Sequence, residues 1–418
     1  MDITLSPSPL RGAVPAVPSK SDSHRNLICS ALSQGETLLS PSSASQDIAV
    51  TMDCLSALGA SILVAGPQIR VAPGPCLGRP LLFCGESGTT LRFLLPVAAA
   101  LADCADFRGS ARLSTRPISH LIAAMERRGV RFSGGSLPFC VSGRLTAGQF
   151  RVPGDVSSQY ISGLLLALPL LSGDSEISLS TPLESRGYVD MTLSALSRFS
   201  VAAEAFDDGW RIPGGQSYRS PGVIALEGDW SNAAFFLCAG AVSGPVTVTG
   251  LRMDSLQGDK AVLEVLRYMG ASVSVSGDAA TVAPGELRGR EIDLRQIPDL
   301  FPPLAVAAAS AAGETRFVGA SRLRTKESDR LSSTAALLRS LGIRVTEGAD
   351  TVSVFGGKLT GGTVDSFGDH RIAMAAAIAA PACASPLVIR VGEAVRKSYP
   401  NFFEHYEALG GSVLRERR

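Results

Sequence analysis

The chain has 418 residues, of which 45% are hydrophobic and 18% are charged. This balance is typical of a globular chain and excludes a disordered one, and the length predicts two or three domains. With 39 Lys and Arg against 38 Asp and Glu, the charge argues against a general nucleic-acid or membrane-surface binder. Any site for anions must therefore be local.

The cysteines and histidines give no sign of a metal centre. The four histidines form no metal-ligand pattern, so we expect no metal and no cofactor. No apolar run reaches the 18 residues of a membrane span, and the N-terminus shows no signal peptide, which predicts a cytoplasmic protein without a membrane partner. We expect reduced thiols in the core for the eight scattered cysteines, which are Cys29, Cys54, Cys76, Cys84, Cys104, Cys140, Cys238 and Cys383.

A repeat of about 70 residues runs through the whole chain. Each copy has a helical ending, then a glycine, then a short alternating strand, as in "DCLSALGASI" and "EVLRYMGASV". Glycine at that place suits a helix C-cap with positive φ. Six copies follow at spacings of 70, 71, 70, 72 and 68 residues. The position is held by Gly59, Gly129, Ser200, Gly270, Gly342 and Gly410, and the serine is the weakest match.

A second element recurs about 40 residues before each of these positions. It is a loop of Gly, Ser, Pro or Asp followed by an apolar, Ala-rich helix, and the loop residues are typical N-caps. Helices that are apolar on nearly every face are predicted to be buried all round. In chain order the six stretches are "VPSKSDSHRNLICSAL", "CGESGTTLRFLLPVAAAL", "VPGDVSSQYISGLLLAL", "LEGDWSNAAFFLCAGAV", "QIPDLFPPLAVAAAS" and "SFGDHRIAMAAAIAA".

Short β-type runs lie between the two helices of each unit, so each unit is predicted as strand, helix, strand, helix and strands. Six such units indicate two domains of three units each, which divide near residues 224–227. The Ala-rich pattern favours helices inside and sheets outside in each domain.

The loops at the predicted helix starts carry the distinctive polar residues. Helix N-termini attract anions, and guanidinium and ammonium groups suit carboxylates and phosphates. Each residue alone has a simpler interpretation: the serines are N-caps, Asp369 with His370 is a satisfied cap, and Lys397 is a surface lysine. Because the repeat places all of them at equivalent ends, we favour a site for a small polyanion. The residues are Lys20, Ser21, Arg25, Gly88, Thr89, Arg92, Arg116, Ser157, Ser158, Gln159, Ser185, Arg186, Tyr188, Asp299, Lys326, Glu327, Arg330, Asp369, His370, Arg371 and Lys397.

With these residues assembled, the chain resembles the 5-enolpyruvylshikimate-3-phosphate synthase family over essentially its full length. The matching stretches are "PSKSDSHR", "GESGTTLR", "STRPISHL", "VPGDVSSQ", "SRGYVDMTL", "EGDWSNAAFFL", "RQIPD", "RTKESDRL", "FGDHRIAM" and "RKSYPNFF". The resemblance implies a two-domain inside-out α/β barrel, with three βαβαββ repeats per domain in a pseudo-threefold arrangement and the active site in the interdomain cleft. The expected domains are residues 19–226 and residues 1–18 plus 227–418, so the N-terminal strand returns to the C-terminal half.

The resemblance also implies a reaction of the shikimate pathway. The enolpyruvyl group of phosphoenolpyruvate passes to the 5-hydroxyl of shikimate 3-phosphate, phosphate leaves, and no metal takes part. Asp299, Glu327 and Lys20 are the implied catalytic residues. Phosphoenolpyruvate would bind Lys20, Gly88, Thr89, Arg92, Arg116, Gln159, Arg330, His370, Arg371 and Lys397. Shikimate 3-phosphate would bind Lys20, Ser21, Arg25, Ser157, Ser158, Gln159, Ser185, Tyr188, Asp299 and Lys326. We expect a monomer whose cleft closes on its ligands, because so many cations repel one another when it is empty.

One departure and two alternatives accompany this resemblance. Glu86 stands where the family usually has Asn, which puts the local affinity for phosphoenolpyruvate and glyphosate in question, whereas Gly88 is retained. A sister transferase acting on UDP-N-acetylglucosamine normally has a reactive Cys where this chain has Ala111, and an Asn where it has Ser21. A catalytically dead polyanion-binding protein would lack the carboxylates Asp299 and Glu327, which are both present.

Overall fold

The computed structural model describes residues 1–42 and 45–416. The chain divides into two compact units, and it crosses between them twice. The N-domain is Pro18–Leu226, and the C-domain combines Met1–Val17 with Glu227–Arg418. The first crossing lies one residue before the predicted boundary at residue 19.

The α-helices of both domains include buried helices and partly exposed ones. In the N-domain they are α1 (Lys20–Leu32), α2 (Gln46–Ala57), α3 (Gly88–Leu101), α4 (Ala111–Ser114), α5 (Ser119–Glu126), α6 (Ser158–Ala167) and α7 (Arg186–Arg198). In the C-domain they are α8 (Trp230–Val242), α9 (Val262–Met269), α10 (Phe301–Ala309), α11 (Arg330–Ser340), α12 (His370–Ala379) and α13 (Phe402–Ala408). Short 3₁₀ turns include residues Pro298–Leu300, Ser321–Thr325 and Gly392–Lys397.

Six helices, α1, α3, α6, α8, α10 and α12, form the cores of the two domains. They begin at the loops that the repeat identifies. In α8 every residue from Trp230 to Ala241 is buried, and in α12 every residue is buried. Small Ala side chains let such helices approach closely, and α8, α10 and α12 pack against one another. The prediction that these helices are buried all round is confirmed.

In the described parts of the chain, each domain contains three four-stranded sheets, and all six share one order: a parallel pair, then two antiparallel neighbours. The N-domain sheets are β16 (Val223–Ala225), β4 (Thr37–Ser40), β6 (Gln68–Ala72), β5 (Ser61–Ala65); β7 (Leu81–Phe83), β8 (Cys104–Arg108), β10 (Phe139–Ser142), β9 (Arg131–Phe132); and β11 (Gln149–Val152), β12 (Ser175–Leu179), β14 (Gly209–Ile212), β13 (Glu204–Phe206). The strands β3 (Ser33–Gln34) and β15 (Tyr218–Arg219) form a separate, short parallel pair.

The C-domain sheets follow the same order. They are β2 (Gly12–Pro15), β17 (Val246–Thr249), β19 (Ala279–Ala283), β18 (Ser272–Ser276); β20 (Glu291–Asp293), β21 (Glu314–Val318), β23 (Thr351–Phe355), β22 (Arg344–Glu347); and β24 (Gly362–Asp365), β25 (Leu387–Arg390), β1 (Asp2–Ser6), β26 (Ser412–Glu416). Strands such as β21 and β23 alternate buried and more exposed residues, so one face packs on the helices and the other faces outward.

The first 17 residues complete the C-domain. Strand β1 pairs antiparallel with both β25 and β26, with Ile3 opposite Ile389 and Arg415, and β2 pairs parallel with β17. Without them, two of the three C-domain sheets would each lack a strand. The implied return of the N-terminal strand to the C-terminal half is confirmed.

The six repeat positions all adopt left-handed backbone. The five glycines have φ between 82° and 110°, and Ser200 has φ 61°. A β-carbon at Gly270 would stand 2.3 Å from the carbonyl oxygen of Glu286, so glycine is needed there for space as well as for φ. Ser200 adopts the same conformation at a cost of about 1–2 kcal/mol, which is small enough for a folded domain to accept at one of the six positions.

The N-caps of the buried helices follow the sequence prediction with one exception. Side chains of Ser19, Ser87, Ser157, Asp229 and Asp369 accept hydrogen bonds from backbone N–H groups of the first turn. The exception is α10, which continues from the 3₁₀ turn at Pro298–Leu300 and has no side-chain cap. The carboxylate of Asp299 contacts cationic side chains instead of the helix backbone.

No helix in the described parts of the chain is long and apolar enough to cross a membrane.

Candidate active site

In the C-domain, ionic side chains from three helix starts form one buried cluster. Asp299 lies in the 3₁₀ turn before α10, Lys326 and Glu327 lie in the segment before α11, and Asp369 and Arg371 lie at the start of α12. Each of these segments leads into one of the two helices of a repeat unit. The fold therefore brings together residues up to 72 positions apart, as in the hydrogen bond from Arg371 Nη1 to the carbonyl oxygen of Asp299.

Arg330, the first residue of α11, lies at the centre of this cluster and is 1% exposed. Its Nη1 donates to Asp299 Oδ1 at 2.8 Å, its Nε donates to Asp369 Oδ2 at 3.1 Å, and its Nη2 donates to Glu327 Oε2. Burial alone would lower the pKa of Arg330, but Asp369, Glu327 and Asp299 outweigh it and raise that pKa. The guanidinium therefore stays charged and fixes three carboxylates.

The pKa values of Asp299 and Lys326 are both lowered, for different reasons. Burial would raise the pKa of Asp299, but the charges of Arg371, Lys326 and Arg330 hold it well below its ordinary value. Burial lowers the pKa of Lys326 to about 8, although its Nζ lies 3.7 Å from Asp299 Oδ1. The pair thus holds a carboxylate that is ionised near neutral pH and an ammonium that loses its proton just above it.

Arg371 and Asp369 are tied to the same cluster. Asp369 Oδ1 accepts from the Arg371 backbone N–H, and burial, which would raise the pKa of Asp369, is outweighed by Arg330, so that pKa is lowered. The Arg371 side chain donates to Ser231 Oγ at 2.6 Å and lies 3.5 Å from Asp299 Oδ2. His370 is buried, with Nδ1 3.5 Å from Asp369 Oδ1.

Other C-domain residues frame this cluster. Burial, reinforced by the charge of Asp299, raises the pKa of Asp259 to about 6. Lys397 is buried at the end of the 3₁₀ turn Gly392–Lys397. Arg324 donates to Asp329, whose other oxygen caps α11, so Arg324 orients that cap.

In the N-domain, Lys20 begins α1 and pairs with Asp47 in the first turn of α2. The Lys20 Nζ to Asp47 Oδ2 distance is 2.8 Å, and the two side chains are 16% and 7% exposed. Sequence reasoning missed Asp47, although "SQDIAV" is the start of the second helix of its repeat unit, and Arg116 and Lys326 likewise lie close to the starts of theirs. A partly buried lysine with a paired carboxylate is held in place rather than left as a mobile surface charge.

A second N-domain group surrounds the start of α3. Arg92 Nη1 donates to Gln159 Oε1 at 2.7 Å, and the amide of Gln159 donates to Thr89 Oγ1 at 2.8 Å. Arg92 Nε and Nη2 both donate to the carbonyl oxygen of Pro117. Arg116 lies so close to Gly88 that a β-carbon there would be 2.6 Å from its Nη1.

A third N-domain group holds Arg25, which is buried on α1. Its guanidinium donates to Ser21 O, Thr192 Oγ1, Tyr188 O and Ser162 Oγ, and it lies over the Phe93 ring. These acceptors occupy four of its five N–H groups. Burial lowers the pKa of Arg25 to about 10, and the group therefore stays protonated near neutral pH. In this arrangement Arg25 fixes the backbone of Ser21 and Tyr188.

The three predicted phosphate-binding serines lie at helix starts. Ser157 caps α6, and Ser158 is its first residue. Ser185 precedes α7, is 1% exposed and has left-handed backbone with φ 54° and ψ 46°. A non-glycine residue in that region is strained, and such strain clusters at binding sites. Glu86 lies half-buried in the turn just before the α3 cap.

A chain of hydrogen bonds links α1 to the α3 loop beneath these groups. His24 Nδ1 and Thr51 Oγ1 are 2.8 Å apart, Thr51 and Thr90 hydroxyls are 2.6 Å apart, and Thr90 donates to Ser87. Burial lowers the pKa of His24 to about 3, so the ring is neutral near pH 7.

The predicted residues are therefore divided between the two domains. Seven lie in the C-domain: Asp299, Lys326, Glu327, Arg330, His370, Arg371 and Lys397. Twelve lie in the N-domain: Lys20, Ser21, Arg25, Gly88, Thr89, Arg92, Arg116, Ser157, Ser158, Gln159, Ser185 and Tyr188. Sequence reasoning missed Asp47, Ser231 and Asp259 as members of these clusters. Within the described residues, no three His, Cys, Asp or Glu side chains are grouped as metal ligands.

Known proteins with similar sequences share this architecture. A family model described as EPSP synthase (3-phosphoshikimate 1-carboxyvinyltransferase) matches residues 5–406. The 3-phosphoshikimate 1-carboxyvinyltransferase of Clostridium kluyveri is 40% identical over 98% of both chains, and that of Methanocorpusculum labreanum is 38% identical over 100% of both.

Solved structures agree with this match. EPSP synthase from Acinetobacter baumannii is 27% identical, with TM-score 0.82 over 99% of this chain and 100% of that chain. The enolpyruvyl transferase NikO from Streptomyces tendae has TM-score 0.81 over 99% of this chain and 98% of that chain, at 21% identity, and shows a shared fold only. The sequence match over nearly the whole chain shows that this chain belongs to the EPSP synthase (3-phosphoshikimate 1-carboxyvinyltransferase) family.

Proposed function

We propose that this chain transfers the enolpyruvyl group of phosphoenolpyruvate to the 5-hydroxyl of shikimate 3-phosphate and releases phosphate. The observation that carries the proposal is the C-domain cluster, in which Asp299 and Glu327 accept hydrogen bonds from one fixed guanidinium and Lys326 pairs with Asp299. Such a cluster supplies both a base and a proton donor at one place, which an addition–elimination reaction needs.

The chemistry requires two proton transfers. The 5-hydroxyl gives up its proton as its oxygen attacks C2 of phosphoenolpyruvate, and C3 gains a proton to form a tetrahedral intermediate. C3 then loses a proton as the C2–O bond to phosphate breaks. Asp299, whose pKa is held low, suits the hydroxyl, and Glu327 suits C3, with Lys20 assisting.

The cations suit the two anions of phosphoenolpyruvate. Arg330 and Arg371 would bind its carboxylate with His370 nearby, and Lys20, Arg92, Arg116 and Lys397 would bind its phosphate beside Gly88, Thr89 and Gln159. Because Glu327 occupies Nη2 of Arg330, we expect an arriving carboxylate to take that place. This exchange would release Glu327 for proton transfer. The phosphate-binding cations would stabilise the charge that develops on the leaving group.

The polar helix starts of the N-domain suit shikimate 3-phosphate. Ser157, Ser158 and Ser185 would bind its phosphate with Lys20, and Ser21 and Arg25 would bind its carboxylate. Tyr188 would pack on the ring near Gln159, while Asp299 and Lys326 would contact the ring hydroxyls. Because four N–H groups of Arg25 already have protein acceptors, we expect Arg25 to act mainly by orienting Ser21 and Tyr188.

For the architecture, we propose the inside-out α/β barrel with three βαβαββ units per domain in a pseudo-threefold arrangement. Its support is the shared strand order of the six sheets and the burial of the six core helices. We further propose that residues of both domains act on the same substrate pair in the interdomain cleft. A monomeric state and a cytoplasmic location stay predictions.

The test is phosphate release from phosphoenolpyruvate with either shikimate 3-phosphate or UDP-N-acetylglucosamine as acceptor. Release with shikimate 3-phosphate alone is the expected result, and release only with the nucleotide sugar would assign the sister activity. No release with either acceptor, from folded protein that still binds them, would indicate a binding protein.

The role of Glu327 has its own test. Glu327→Gln should lose about 10²- to 10⁴-fold in turnover, because the amide cannot transfer the proton, while calorimetry still shows binding of shikimate 3-phosphate. Glu264→Gln, an exposed position on α9 of the same domain, is the matched control and should keep full turnover. Near-normal turnover of Glu327→Gln would remove Glu327 from the mechanism.

A further inference from the structure

Two cysteines lie side by side on the outer face of the sheet that contains β8 and β10. Along β8 and β10 the inward residues Ala105, Phe107, Phe139 and Val141 are buried, whereas Cys104 and Cys140 face outward and are half-buried. Their Sγ atoms are 3.1 Å apart. This is a contact between two accessible thiols, and the proposed function does not use either.

The strand register explains why the two thiols meet. Cys140 stands opposite Asp106 and Cys104 stands opposite Ser142, so the cysteines are diagonal neighbours on one face of an antiparallel pair. A disulfide has an S–S bond of about 2.05 Å, so the two sulfur atoms need to approach by only about 1 Å. Side-chain rotation can supply a movement of that size without rearranging the sheet.

Charged side chains on the same face affect the reactivity of the pair. Arg79 Nη2 donates to Asp106 Oδ1 at 2.6 Å, and its positive charge favours a thiolate nearby. Burial, the hydrogen bond with Cys104 and the charges of Cys104 and Asp106 oppose it, and together they raise the pKa of Cys140 to about 11. Cys140 is therefore a poor first nucleophile near neutral pH, which leaves the initial attack to Cys104.

We propose that Cys104 and Cys140 form a redox-active dithiol that closes reversibly to an intramolecular disulfide. The oxidant is a low-molecular-weight disulfide, for which glutathione disulfide is the probe. The Cys104 thiolate attacks one sulfur of glutathione disulfide, whose S–S bond breaks and releases one glutathione thiolate. The Cys140 thiolate then attacks Cys104 Sγ and releases the second glutathione. Two electrons pass from the cysteines to glutathione, and their two protons end on the two glutathione thiols or in the buffer.

The other cysteines provide a comparison within the same chain. Cys29, Cys54, Cys84, Cys238 and Cys383 are buried, as the sequence predicts, and Cys76 is half-buried. Cys54 and Cys84 also interact with each other, but they are at most 1% exposed, so a dissolved oxidant cannot reach them. The prediction of core thiols is wrong for Cys76, Cys104 and Cys140, which are half-buried; the last two occupy outward-facing positions on the two central strands of their sheet.

The disulfide would close the chain segment from residue 104 to residue 140. That segment contains helices α4 and α5 and the Arg116–Pro117 step, where the predicted phosphate ligand Arg116 lies. Cross-linking a segment of this length restricts the unfolded chain, so the oxidised N-domain should unfold at a temperature higher by roughly 5 °C or more.

The experiment equilibrates the full-length reduced protein with glutathione buffers of increasing disulfide content, then blocks the remaining thiols with a maleimide. Peptide mapping by mass spectrometry should find Cys104 linked to Cys140, with the loss of two maleimide additions in one step, and reduced glutathione should restore both. Cys54 and Cys84 should stay fully reactive after denaturation. If Cys104 and Cys140 both remain free in the most oxidising buffer, or each carries its own glutathione, the proposal is overturned.

Two variants distinguish the roles of Cys104 and Cys140 in the reaction. In Cys140→Ser the reaction should stop at a stable mixed disulfide between Cys104 and glutathione, because no second thiol is available. In Cys104→Ser, Cys140 should react with glutathione disulfide far more slowly, and its rate should rise with pH, because burial still raises the pKa of its thiol. Cys76→Ser is the matched control and should form the same Cys104–Cys140 link as the native chain. Failure of that link in Cys76→Ser would implicate Cys76 and contradict the assignment.

Discussion

Replacement of Gly88 by Ala tests the proposed phosphate-binding group directly. Gly88 is the first residue of α3, and the added β-carbon would lie 2.6 Å from Arg116 Nη1 and 2.7 Å from both Arg116 Cζ and Arg92 Nη1. Both guanidinium groups would have to retreat by about 0.8 Å to restore van der Waals separation. The backbone of Gly88 is not left-handed, so alanine itself causes no strain there.

The expected magnitude follows from the hydrogen bonds that such a displacement weakens. A hydrogen bond to a charged group contributes about 1.5–3 kcal/mol, and two arginines would each lose part of theirs to the phosphate. A combined loss of about 2–3 kcal/mol corresponds to a rise of about 30- to 150-fold in the KM for phosphoenolpyruvate. Because alanine favours a helix over glycine, the free energy of unfolding should be unchanged or higher by about 0.5–1 kcal/mol.

The assay measures KM for each substrate with the other saturating, together with thermal unfolding. The KM for shikimate 3-phosphate should change by less than about threefold, since Arg92 and Arg116 are not among its proposed ligands. Gly135→Ala is a suitable control, because that exposed glycine has open space around it and its backbone is not left-handed. An unchanged KM for phosphoenolpyruvate in a stable Gly88→Ala protein would refute the proposed placement of the phosphate at Arg92 and Arg116.

Three further predictions concern charge and pH. Arg330→Met should lower the free energy of unfolding of the C-domain by about 3–5 kcal/mol, because three carboxylates lose their cationic partner. The unfolding can be followed by Trp230 fluorescence in a Trp210→Phe background, and adding Asp369→Asn should recover part of the lost free energy. The pKa of His24 is about 3 in the folded protein against 6.5 in the unfolded chain, so the free energy of unfolding of the N-domain should be greatest above pH 6.5 and fall by about 5 kcal/mol towards pH 3. His24→Gln should make this fall smaller. The unfolding can be followed by Trp210 fluorescence in a Trp230→Phe background. Lys326 has a pKa of about 8 and is charged below that pH, so kcat/KM for shikimate 3-phosphate should decline above pH 8. Lys326→Met should abolish this decline, whereas the control Lys358→Met, at an exposed position, should retain it. A decline that persists in Lys326→Met would exclude Lys326 as its source.

Repeated local signals made much of the fold predictable. The residue after each second helix must take left-handed backbone, and glycine does so at five of six positions, so the period could be read from single residues. Buried helices need apolar side chains on every face, which the Ala-rich runs show directly. The position of the N-terminal strands, by contrast, came from the family resemblance, because nothing local in Asp2–Ser6 says which sheet it joins.

The candidate site was predictable to the extent that its residues occupy helix starts. Ser157 and Asp369 could be recognised from cap chemistry, and Lys20 and Arg330 from their cationic side chains beside such caps. Asp47 was missed because a carboxylate in a first helical turn is ordinary helix chemistry. Its role depends on the 2.8 Å contact with Lys20, which is 27 positions away.

The sequence by itself therefore determined the period, the buried helices, their caps and the chemical types of the functional residues, because each depends on the backbone preference or polarity of neighbouring positions. Tertiary structure alone decided that Arg330 holds three carboxylates, that Asp299 faces cations instead of capping α10, and that two cysteines 36 positions apart touch. Those features depend on distances and on burial. The order of residues does not encode how burial shifts a pKa or which thiols stay exposed.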